Sequence, residues 1–453
     1  MSGHLTILGA GESGVGAALL GIKTGWDVFV SDMGKIADDK RDELQQHQVE
    51  FEEGRHSEER ILSSTLVVKS PGIPDTAPLI QQLQKQATPV ISEIEFASRY
   101  TEAPIVAITG TNGKTTTTAL THHVLSHCGM DAGVAGNIGI SFARLLASEE
   151  EKEVYVLEVS SFQLDGIDTF KPHIAVLLNI TPDHLDRYNY QLENYVASKF
   201  RILMNQDGEN HFITNAEDSI IQEWMASNSI PSQLHLISTK RPVSALPNES
   251  HTGAGIENNL LHINTLTEPF NMKIQELALQ GKHNLFNSMA AGVTARLFEL
   301  RKELVRDSLM DFDNIEHRLE FVAKVHGITF INDSKATNIN STWYALESAD
   351  KPLIWIAGGV DKGNDYSELY DLVDGKVKAL ICLGKDNQKL KEAFAGRIDP
   401  IIEVGSADEA VKLAYDLGHQ GDTVLLSPAC ASFDLFSSYE DRGHQFKQAV
   451  RRL

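Results

Sequence analysis

The fold of this chain is decided by the stretch PIVAITGTNGKTTTTALTHHVL, residues 104–125. An apolar strand ends at Gly110, the turn TNG follows, and a helix opens at Lys114 and continues beyond the quoted stretch. Successive backbone N–H groups of residues 111–116 can cradle phosphates, Lys114 can reach them, and the threonine after it can ligate Mg²⁺. The spacing GxxGKT lacks the first glycine of the generic pattern, where Ile108 stands, so an ordinary Gly-Lys turn is the alternative. The flanking strand and helix favour a phosphate-binding loop.

A second glycine-rich turn lies near the N-terminus. Residues 9–14 fit the spacing G-x-G-x-x-G between the strand HLTIL and a helical run, and Asp32 closes the next strand. This turn is typical of nucleotide diphosphate binding at a helix N-terminus, and a tight turn without ligand is the alternative. The loop Ser70-Pro71-Gly72 also follows a strand end, where open α/β sheets bind ligands, although alone it reads as an ordinary turn.

Short apolar strands alternate with helical stretches along the chain, which predicts an α/β protein with parallel sheets. We expect three domains: a Rossmann-like N-terminal domain over 1–92, a central P-loop-type ATPase domain with a mainly parallel sheet over 93–314, and a Rossmann-like C-terminal domain over 315–453. The polar stretch 215–279 reads as loops and peripheral strands at the edge of the central domain.

Composition excludes several classes of protein. The 453 residues include 40 Lys and Arg against 62 Asp and Glu, a formal charge of −22, so bulk attraction to nucleic acid or an anionic membrane is not expected. Three isolated cysteines argue against a disulfide framework or a zinc cluster and indicate a reducing compartment. The sequence shows neither a secretory signal nor an apolar run of membrane-spanning length, so we expect a cytoplasmic protein.

Two further strands of the central block end in groups that can ligate a metal. Glu158 closes the strand VYVLEV, and Asp183 and His184 follow the strand IAVLLNI. In a parallel sheet these ends share an edge with the phosphate loop, so Glu158 and His184 can serve a divalent ion there. Alone, the segment TPDHLD fits a helix cap equally well. Asn137 adds a polar group to this block. Lys199 lies in a predicted helix, where an exposed lysine is the default interpretation.

The third block carries the loops NDSKATN, GGVDKG and SPACASFD, and each follows a strand. These loops should therefore converge on one sheet edge. Lys335 and Lys362 in the loops, with Arg318 upstream, are scarce cations on an acidic chain, placed where an anionic substrate can dock. Singly they have ordinary explanations, such as a solvated loop charge for Lys362 and a helix N-cap for Ser432.

Taken in order, these motifs closely resemble those of the Mur ligases. The colinear set covers essentially the whole chain: GAGESG, SPGI, GTNGKTT, GNIG, EVSSFQL, TPDHLDRY, YxxxK at 195–199, GxHNxxN at 281–287, HRLE, NDSKATN, GGxDKG and SPACASFD. NDSKATN and SPACASFD are similar to the branch that adds D-glutamate. The sister ligases that add L-alanine or a diamino acid, and the folylpolyglutamate synthases, carry a tyrosine–histidine–proline style loop at the position of 334–337.

The resemblance implies an amide-forming ligase that uses ATP as co-substrate and two Mg²⁺ ions. ATP would phosphorylate the carboxylate of UDP-N-acetylmuramoyl-L-alanine, and the amine of D-glutamate would displace phosphate from the acyl phosphate through a tetrahedral intermediate. A carboxylate is a poor acyl donor, so the enzyme's task is mainly positioning and charge neutralisation. We expect a monomer with no nucleic-acid or membrane partner.

The resemblance also assigns residues. The catalytic and metal-binding groups would be Lys114, Thr115, Glu158, His184 and Lys199, the last as a carbamate because a bare ammonium would repel Mg²⁺. ATP contacts are implied at Gly110, Thr111, Asn112, Gly113, Lys114, Thr115, Thr116, Asn284, Asn287, Arg318 and Asp333. The UDP precursor is implied at Gly11, Glu12, Ser13, Gly14, Asp32, Ser70, Pro71, Gly72 and Asn137. D-glutamate is implied at Lys335, Thr337, Lys362, Ser432, Phe433 and Tyr439.

Three alternatives remain from the sequence. A nicotinamide-dependent dehydrogenase would explain the first glycine loop and Asp32, but neither the second phosphate loop nor the third block. A P-loop NTPase that moves a partner would explain residues 104–129, but it needs no amino-acid acceptor. A sister ligase is the closest rival.

Overall fold

The computed structural model describes residues 3–148, 150–247, 252–265, 268–279, 281–312, 316–349 and 351–453. The chain divides into two compact units, Met1–Phe312 and Asp313–Leu453. The first unit contains two sheets and the second contains one. The boundary predicted between residues 314 and 315 lies outside the described residues, and the boundary predicted after residue 92 stays a prediction.

A five-stranded parallel sheet opens the first unit. Its strands are β1 His4–Leu8, β2 Asp27–Asp32, β3 Glu50–Glu53, β4 Leu66–Lys69 and β5 Val90–Ile91, and its helices are α1 Glu12–Lys23, α2 Asp38–Gln46, α3 Glu58–Leu62, α4 Pro78–Lys85 and α5 Glu93–Ser98. The strand order β3-β2-β1-β4-β5 is that of a Rossmann-type half, in which ligands bind beyond the carboxyl ends of the strands. Apolar clusters pack on both faces of the sheet, which explains the nearly continuous apolar strands.

A nine-stranded sheet forms the rest of the first unit. Its strands are β6 Ile105–Thr109, β7 Ala132–Gly136, β8 Val154–Glu158, β9 Ile174–Leu177, β10 His211–Asn215, β11 Gln233–Ile237, β12 Gly253–Glu257, β13 Leu260–Asn264 and β14 Phe270–Lys273. Its helices are α6 Lys114–His127, α7 Phe142–Ser148, α8 Ser161–Asp165, α9 Leu192–Phe200, α10 Ser219–Ser227, α11 Lys282–Leu297 and α12 Lys302–Asp311. The strand order is β14-β13-β12-β11-β10-β9-β6-β8-β7. Strand β6 lies inside the sheet between β9 and β8, and all five of its residues are buried.

The second unit holds a six-stranded sheet. Its strands are β15 Glu320–Val325, β16 Ile328–Asn332, β17 Leu353–Ala357, β18 Val377–Leu383, β19 Ile401–Val404 and β20 Thr423–Leu426, and its helices are α13 Ile339–Ser348, α14 Tyr370–Val373, α15 Gln388–Phe394, α16 Ala407–Leu417 and α17 Tyr439–Val450. In the order β15-β16-β20-β17-β18-β19 only the edge strand β15 is antiparallel to its neighbour. Two apolar clusters cover its two faces.

These sheets confirm the predicted α/β class with mainly parallel strands. Antiparallel pairing joins β12 to β13, β13 to β14 and β15 to β16, so it is confined to one end of each of two sheets, where β14 and β15 are the edge strands. The polar stretch 215–279 supplies β11 to β14 at one edge of the nine-stranded sheet, as predicted. Among the described residues, no helix combines the length and the apolar character that crossing a bilayer would require.

The register of the nine-stranded sheet fixes which loops meet. Ile108 of β6 pairs with Glu158 of β8 on one side and with Val176 of β9 on the other. Because the three strands are parallel, the loops after residues 109, 158 and 177 leave the sheet at the same edge. This pairing positions the candidate site.

Glu95, on α5, anchors the connection between the two sheets of the first unit. Its buried carboxylate accepts hydrogen bonds of 2.7–3.0 Å from the backbone N–H groups of Asp168, Thr169 and Phe170. The Thr169 hydroxyl and Arg99 donate to it as well. Burial disfavours the charged carboxylate, but these hydrogen bonds outweigh burial and lower the pKa of Glu95 below its usual value.

We predict that Glu95→Ala lowers the free energy of unfolding by about 3 kcal/mol at neutral pH, because it removes the acceptor of three backbone N–H groups, of which that of Phe170 is buried. Since the pKa of Glu95 is lowered on folding, its contribution is complete above the unfolded-state pKa and disappears as pH falls through the folded-state pKa. Urea unfolding of the wild type and the variant at neutral and acidic pH measures this difference. Glu102→Ala, an exposed carboxylate nearby, is the control. Equal losses in both variants, or a difference that grows on acidification, would contradict the prediction.

Candidate active site

The phosphate loop is held open by contacts to the loop after β9. The backbone N–H of Thr111 donates to the carbonyl of Asn179 at 3.0 Å, and that of Asn112 donates to the Asn179 side-chain oxygen at 2.9 Å. Helix α6 then begins after Gly113 with no side-chain cap, which leaves its first N–H groups for a ligand. The hydroxyl of Thr116 is buried without a hydrogen-bond partner. A phosphate group fits these donors.

Gly113 cannot be replaced without moving a neighbour. Its φ is +84°, and a Cβ built on it would lie 2.8 Å from Oδ1 of Asn287. Asn287 is buried on α11, and its amide lies 3.4 Å from the side-chain oxygen of Asn284. The structure therefore brings both asparagines predicted near the nucleotide close to the phosphate loop.

Two lysines share one carbonyl in this loop. Lys114 Nζ donates to the carbonyls of Gly110 and Thr111 at 2.8 Å, and Lys199 Nζ donates to Gly110 at 2.9 Å. Lys199 is only 1% exposed, which overturns its default interpretation as an exposed helical lysine. Burial, and then the positive charge of Lys114, hold the pKa of Lys199 well below its ordinary value. Lys199 therefore loses its proton more readily than an ordinary lysine, and the neutral amine is the nucleophilic form of the side chain.

Glu158 presents a free carboxylate oxygen at the sheet edge. Its Oε1 accepts from the side-chain amide of Asn137 at 2.9 Å, and its backbone carbonyl accepts from the Asn137 N–H at 2.8 Å. Its Oε2 is buried without a hydrogen-bond partner. A buried, unpartnered carboxylate oxygen is costly unless a ligand satisfies it, so this site fits a hard divalent cation.

His184 lies at the neighbouring loop in a left-handed backbone conformation with φ 52°. Its ring packs edge-on against Phe162, with ring centroids 5.2 Å apart, and its Nε2 lies 3.7 Å from a carboxylate oxygen of Asp183. The short 3₁₀ turn Leu185–Tyr188 follows it with no side-chain cap, so the helix-cap alternative for TPDHLD does not hold here.

A cavity of about 320 Å³ lies at this site. The predicted residues that line it are Pro71, Gly72, Lys114, Asn137, His184 and Lys199, whereas Thr115 and Glu158 are not among its lining residues. The cavity therefore brings the lysine of the phosphate loop, two of the candidate metal ligands and the Ser70–Gly72 loop together within the first unit. Their catalytic and binding roles stay predictions.

The sequence analysis missed Arg187, which also lines this cavity. Its guanidinium donates to the carbonyls of Pro71 and Gly72 at 3.1 Å and lies 4.7 Å from the centroid of the Phe162 ring. Arg187 thus ties the loop that carries His184 to the loop predicted for the UDP precursor. Its place in TPDHLDRY, three residues after His184, was the available signal.

The first glycine loop is organised mainly by its own carboxylates. Both oxygens of Asp32 accept backbone N–H bonds of 2.7 Å, from Ala10 and Gly34. Glu12 pairs with Arg144 at 2.5 Å and with Lys40 at 2.9 Å. This leaves backbone N–H groups, rather than the Glu12 carboxylate, as the groups free to meet a phosphate.

The remaining positions of this loop show where space is available. A Cβ on Gly14 would lie 1.9 Å from the carbonyl oxygen of Gly9, so α1 can approach β1 only with glycine there. Gly11 has no atom within 4 Å of its Cβ position, and Ser13 is partly buried beside it. The open side of the turn thus lies at Gly11. Ser70 closes the neighbouring loop by donating its N–H to Leu8 at 2.9 Å.

In the second unit, Asp333 is buried between loops. Its oxygens accept from the Ser427 hydroxyl at 2.8 Å and from the Leu319 N–H at 3.2 Å. Burial raises the pKa of Asp333 to about 7, although the Ser427 hydrogen bond and the charge of Arg318 oppose the rise. Arg318 and Asp333, both predicted near ATP, are therefore neighbours within this unit.

The predicted D-glutamate residues cluster on three loops of the second unit. Lys335 Nζ lies 5.5 Å from the centroid of the Tyr439 ring, and the N–H of Thr337 donates to the Lys335 carbonyl at 2.9 Å. Val360 and Ala431 exchange backbone hydrogen bonds of 2.8 and 3.2 Å, which joins the loop of Lys362 to the loop of Ser432 and Phe433. Ser432 is buried, whereas Lys362 and Phe433 are exposed.

Arg442, on α17, was also missed and is the central buried cation of these loops. It is 1% exposed, and it donates to the Ser334 hydroxyl at 2.9 Å, the Ser334 carbonyl at 2.8 Å and the Cys430 carbonyl at 3.3 Å. The Ser334 hydroxyl in turn donates to the Tyr439 carbonyl at 2.8 Å. Burial lowers the pKa of Arg442 to about 10, so it stays charged at neutral pH. No local pattern distinguishes it from a surface helical arginine.

The parallel sheet, with a phosphate loop at its edge, defines a nucleotide-dependent α/β enzyme of the P-loop class. Comparison with known proteins narrows this class to one family. The Mur ligase MurD-like N-terminal domain matches residues 3–92, the Mur ligase middle domain 108–295, and the Mur ligase glutamate ligase domain 317–430. The chain belongs to the Mur ligase family.

Relatives of this family cover the chain from end to end. It is 52% identical, over all of both chains, to a protein of Christiangramia forsetii named UDP-N-acetylmuramoylalanine–D-glutamate ligase. It is 53% identical to a protein of the same name from Bacteroides fragilis, over 99% of this chain and 100% of that one. Among solved structures, a UDP-N-acetylmuramate–alanine ligase of Thermotoga maritima matches with a TM-score of 0.62 and 18% identity over 99% of both chains. A pseudomurein peptide ligase of Methanothermus fervidus matches with a TM-score of 0.62 and 19% identity over 99% of both chains. The two structures show the shared fold.

We predict that Gly113→Ala weakens ATP binding at least tenfold, because its Cβ would displace Asn287 and its φ is unfavourable for alanine. The matched control is Gly129→Ala at the other end of α6, where φ is +98° but nothing lies within 4 Å of the Cβ position. Calorimetric titration with a non-hydrolysable ATP analogue, beside thermal unfolding, separates binding from stability. Equal loss of affinity in both variants would show that backbone strain, rather than loop geometry, is responsible.

Proposed function

We propose that this chain catalyses the ATP-dependent addition of D-glutamate to UDP-N-acetylmuramoyl-L-alanine. The observation that carries the proposal is the full-length identity of 52–53% to relatives named for this reaction. The reaction belongs to the synthesis of peptidoglycan precursors. We propose the cytoplasm as its location and the monomer as its working state.

The first step is transfer of the γ-phosphoryl group of ATP to the carboxylate of the precursor. The bond between the γ-phosphorus and the ADP oxygen breaks as the carboxylate oxygen attacks, which yields ADP and an acyl phosphate. Lys114 and the N–H groups at the start of α6 neutralise the charge on the phosphoryl oxygens. Lys114 now rests on the Gly110 and Thr111 carbonyls at 2.8 Å, so a phosphate competes with these weaker acceptors for its ammonium.

The second step is attack of the D-glutamate amine on the acyl carbon. A C–N bond forms, the nitrogen loses a proton, and the tetrahedral intermediate collapses with expulsion of phosphate. We propose that Lys335, Thr337, Lys362, Ser432, Phe433 and Tyr439 hold D-glutamate. The cations among them supply charge for its carboxylates, and Arg442 fixes the loops that carry them.

The groups proposed to hold two Mg²⁺ ions are Thr115, Glu158, His184 and Lys199. The unpartnered buried oxygen of Glu158 supports this assignment. When bound, the ions offset the negative charge of the phosphates and the precursor carboxylate.

Lys199 is proposed to act as a carbamate. A neutral amine attacks CO₂, a C–N bond forms and one proton is released, which converts the neutral amine into an anionic carbamate. The low pKa of buried Lys199 favours the reactive amine, and the anion would be attracted to Lys114, which now lowers that pKa by repulsion. The carbamate would then orient the ion held by Glu158 and His184.

The other substrate contacts are proposals of the same kind. For ATP they are Gly110, Thr111, Asn112, Gly113, Thr115, Thr116, Asn284, Asn287, Arg318 and Asp333. For the UDP precursor they are Gly11, Glu12, Ser13, Gly14, Asp32, Ser70, Pro71, Gly72 and Asn137. The approach of Arg187 to Pro71 and Gly72 supports a link between the precursor loop and the metal loop.

An amide-forming assay with D-glutamate, L-glutamate, L-alanine and diaminopimelate tests the function. Without hydroxylamine we expect phosphate release only with D-glutamate and the precursor together. When D-glutamate is withheld, added hydroxylamine should trap the activated precursor as a hydroxamate and release phosphate in its place. Lys114→Ala should lower turnover by at least about 10²-fold, because it removes a donor to the transferring phosphoryl group. A preference for L-alanine or diaminopimelate would point to a sister ligase. Product formation without any trappable intermediate would exclude the acyl phosphate.

We predict that Lys199→Ala loses most activity and regains part of it when a short carboxylate such as acetate is added, because the carboxylate can occupy the place of the carbamate. Lys171→Ala is the control, since Lys171 is exposed and pairs with Asp207. Steady-state turnover with increasing acetate measures the rescue. Full activity of Lys199→Ala without additive would remove the carbamate from the mechanism.

A further inference from the structure

We propose that His123, His127 and Asp311 form a binding site for a first-row divalent transition-metal ion of the Zn²⁺ or Ni²⁺ kind, separate from the phosphate loop. The two histidines are four residues apart on α6, which places their rings on one face of the helix. Asp311 is the last residue of α12 and faces them. The site would join the two helices.

The donor atoms are already gathered. His123 Nε2 lies 2.9 Å from one carboxylate oxygen of Asp311, and His127 Nδ1 lies 3.7 Å from the other. One ligand atom from each residue falls within 4.8 Å of the other two. Tetrahedral donors about 2.0–2.1 Å from one ion lie roughly 3.4 Å apart, so small side-chain rotations suffice.

The donor set selects the class of ion. Two imidazoles and one carboxylate suit Zn²⁺, Co²⁺, Ni²⁺ and Cu²⁺, whereas Mg²⁺ prefers oxygen ligands and retains its water. The side chains of His123, His127 and Asp311 are 30%, 37% and 52% exposed, so water can complete the coordination. Transition-ion binding here is thus distinguishable from Mg²⁺ binding at the phosphate loop.

Electrostatics favour a cation at this place. His127 is the last residue of α6, and the C-terminal end of a helix dipole carries partial negative charge. The chain carries a formal charge of −22, which adds a general attraction for cations.

A second group of similar residues, Glu316, His317 and His444, is less suited to a metal. The ammonium of Lys447 contacts Glu316 and also lies 2.8 Å from Glu320, so the local negative charge already has a cation. His317 Nδ1 is engaged by the Asn332 amide at 2.9 Å. A variant of this group therefore serves as a control for the metal-binding measurements.

Metal binding would fasten the end of α12 to α6, the helix that begins at Lys114 of the phosphate loop. The reactivity of the Cys128 thiol can be used to monitor this helix contact. Its sulfur lies 4.0 Å from the hydroxyl of Ser308, which precedes Asp311 by about one turn of α12. Cys382 and Cys430 are buried, so Cys128 is the more accessible thiol. An ion that holds α12 in place should slow modification of Cys128.

The test is titration of the full-length protein with Ni²⁺ in excess Mg²⁺, followed by calorimetry. We expect one equivalent of Ni²⁺ to bind the wild type. His123→Ala and Asp311→Asn should each weaken binding at least about tenfold, because mutation of residues that only hydrogen-bond to a metal ligand already lowers metal affinity by that much. His444→Ala should bind like the wild type. Saturating Ni²⁺ should raise the Tm of the wild type by about 2–4 °C and slow Cys128 modification, with neither effect in His123→Ala.

Apo-state Tm values of the variants show whether each one folds. Unchanged Ni²⁺ affinity in both His123→Ala and Asp311→Asn would overturn the proposal, and so would a loss of binding in His444→Ala alone. Absence of Ni²⁺ binding to the wild type would overturn it as well. The outcome is independent of the proposed ligase activity, because binding, Tm and thiol modification are read without substrates.

Discussion

The carbonyl oxygen of Gly110 receives hydrogen bonds from two lysines, Lys114 and Lys199, and the rest of the candidate site depends on this convergence. Two ammonium groups cannot share a buried acceptor without mutual repulsion, and burial of Lys199 adds to the cost of its charge. Two changes relieve the conflict: an anionic ligand that draws Lys114 away, or a Lys199 that is no longer a cation. The proposed function uses both.

The other groups of the candidate site lie at the same edge of the nine-stranded sheet as these two lysines. Parallel pairing of β6 with β8 and β9 delivers Glu158 and the 178–184 loop beside the phosphate loop. Arg187 then connects that loop to Pro71 and Gly72, which follow a strand of the other sheet. Loops from two sheets of the first unit thus line one cavity, although their residues are more than a hundred positions apart in the chain.

In the second unit, the buried cation Arg442 organises the loops around it. Arg442 donates to backbone carbonyls and a hydroxyl, so its charge is satisfied mainly by dipoles of the loops it organises. Solved structures of 18–19% identity share the fold of the whole chain.

Local sequence by itself determined the apolar strands that precede the glycine turns and the site loops, such as β1, β6, β8 and β9, because apolar runs and glycine spacing act through the backbone of neighbouring residues. It also placed Glu158 and His184 at the correct sheet edge, since parallel strands end together. Only the tertiary structure decided that Lys199 is buried rather than exposed, that one oxygen of Glu158 has no partner, and that Arg187 and Arg442 hold loops together. Burial and electrostatic neighbours come from residues distant in the chain, and no local spacing encodes which of them will meet.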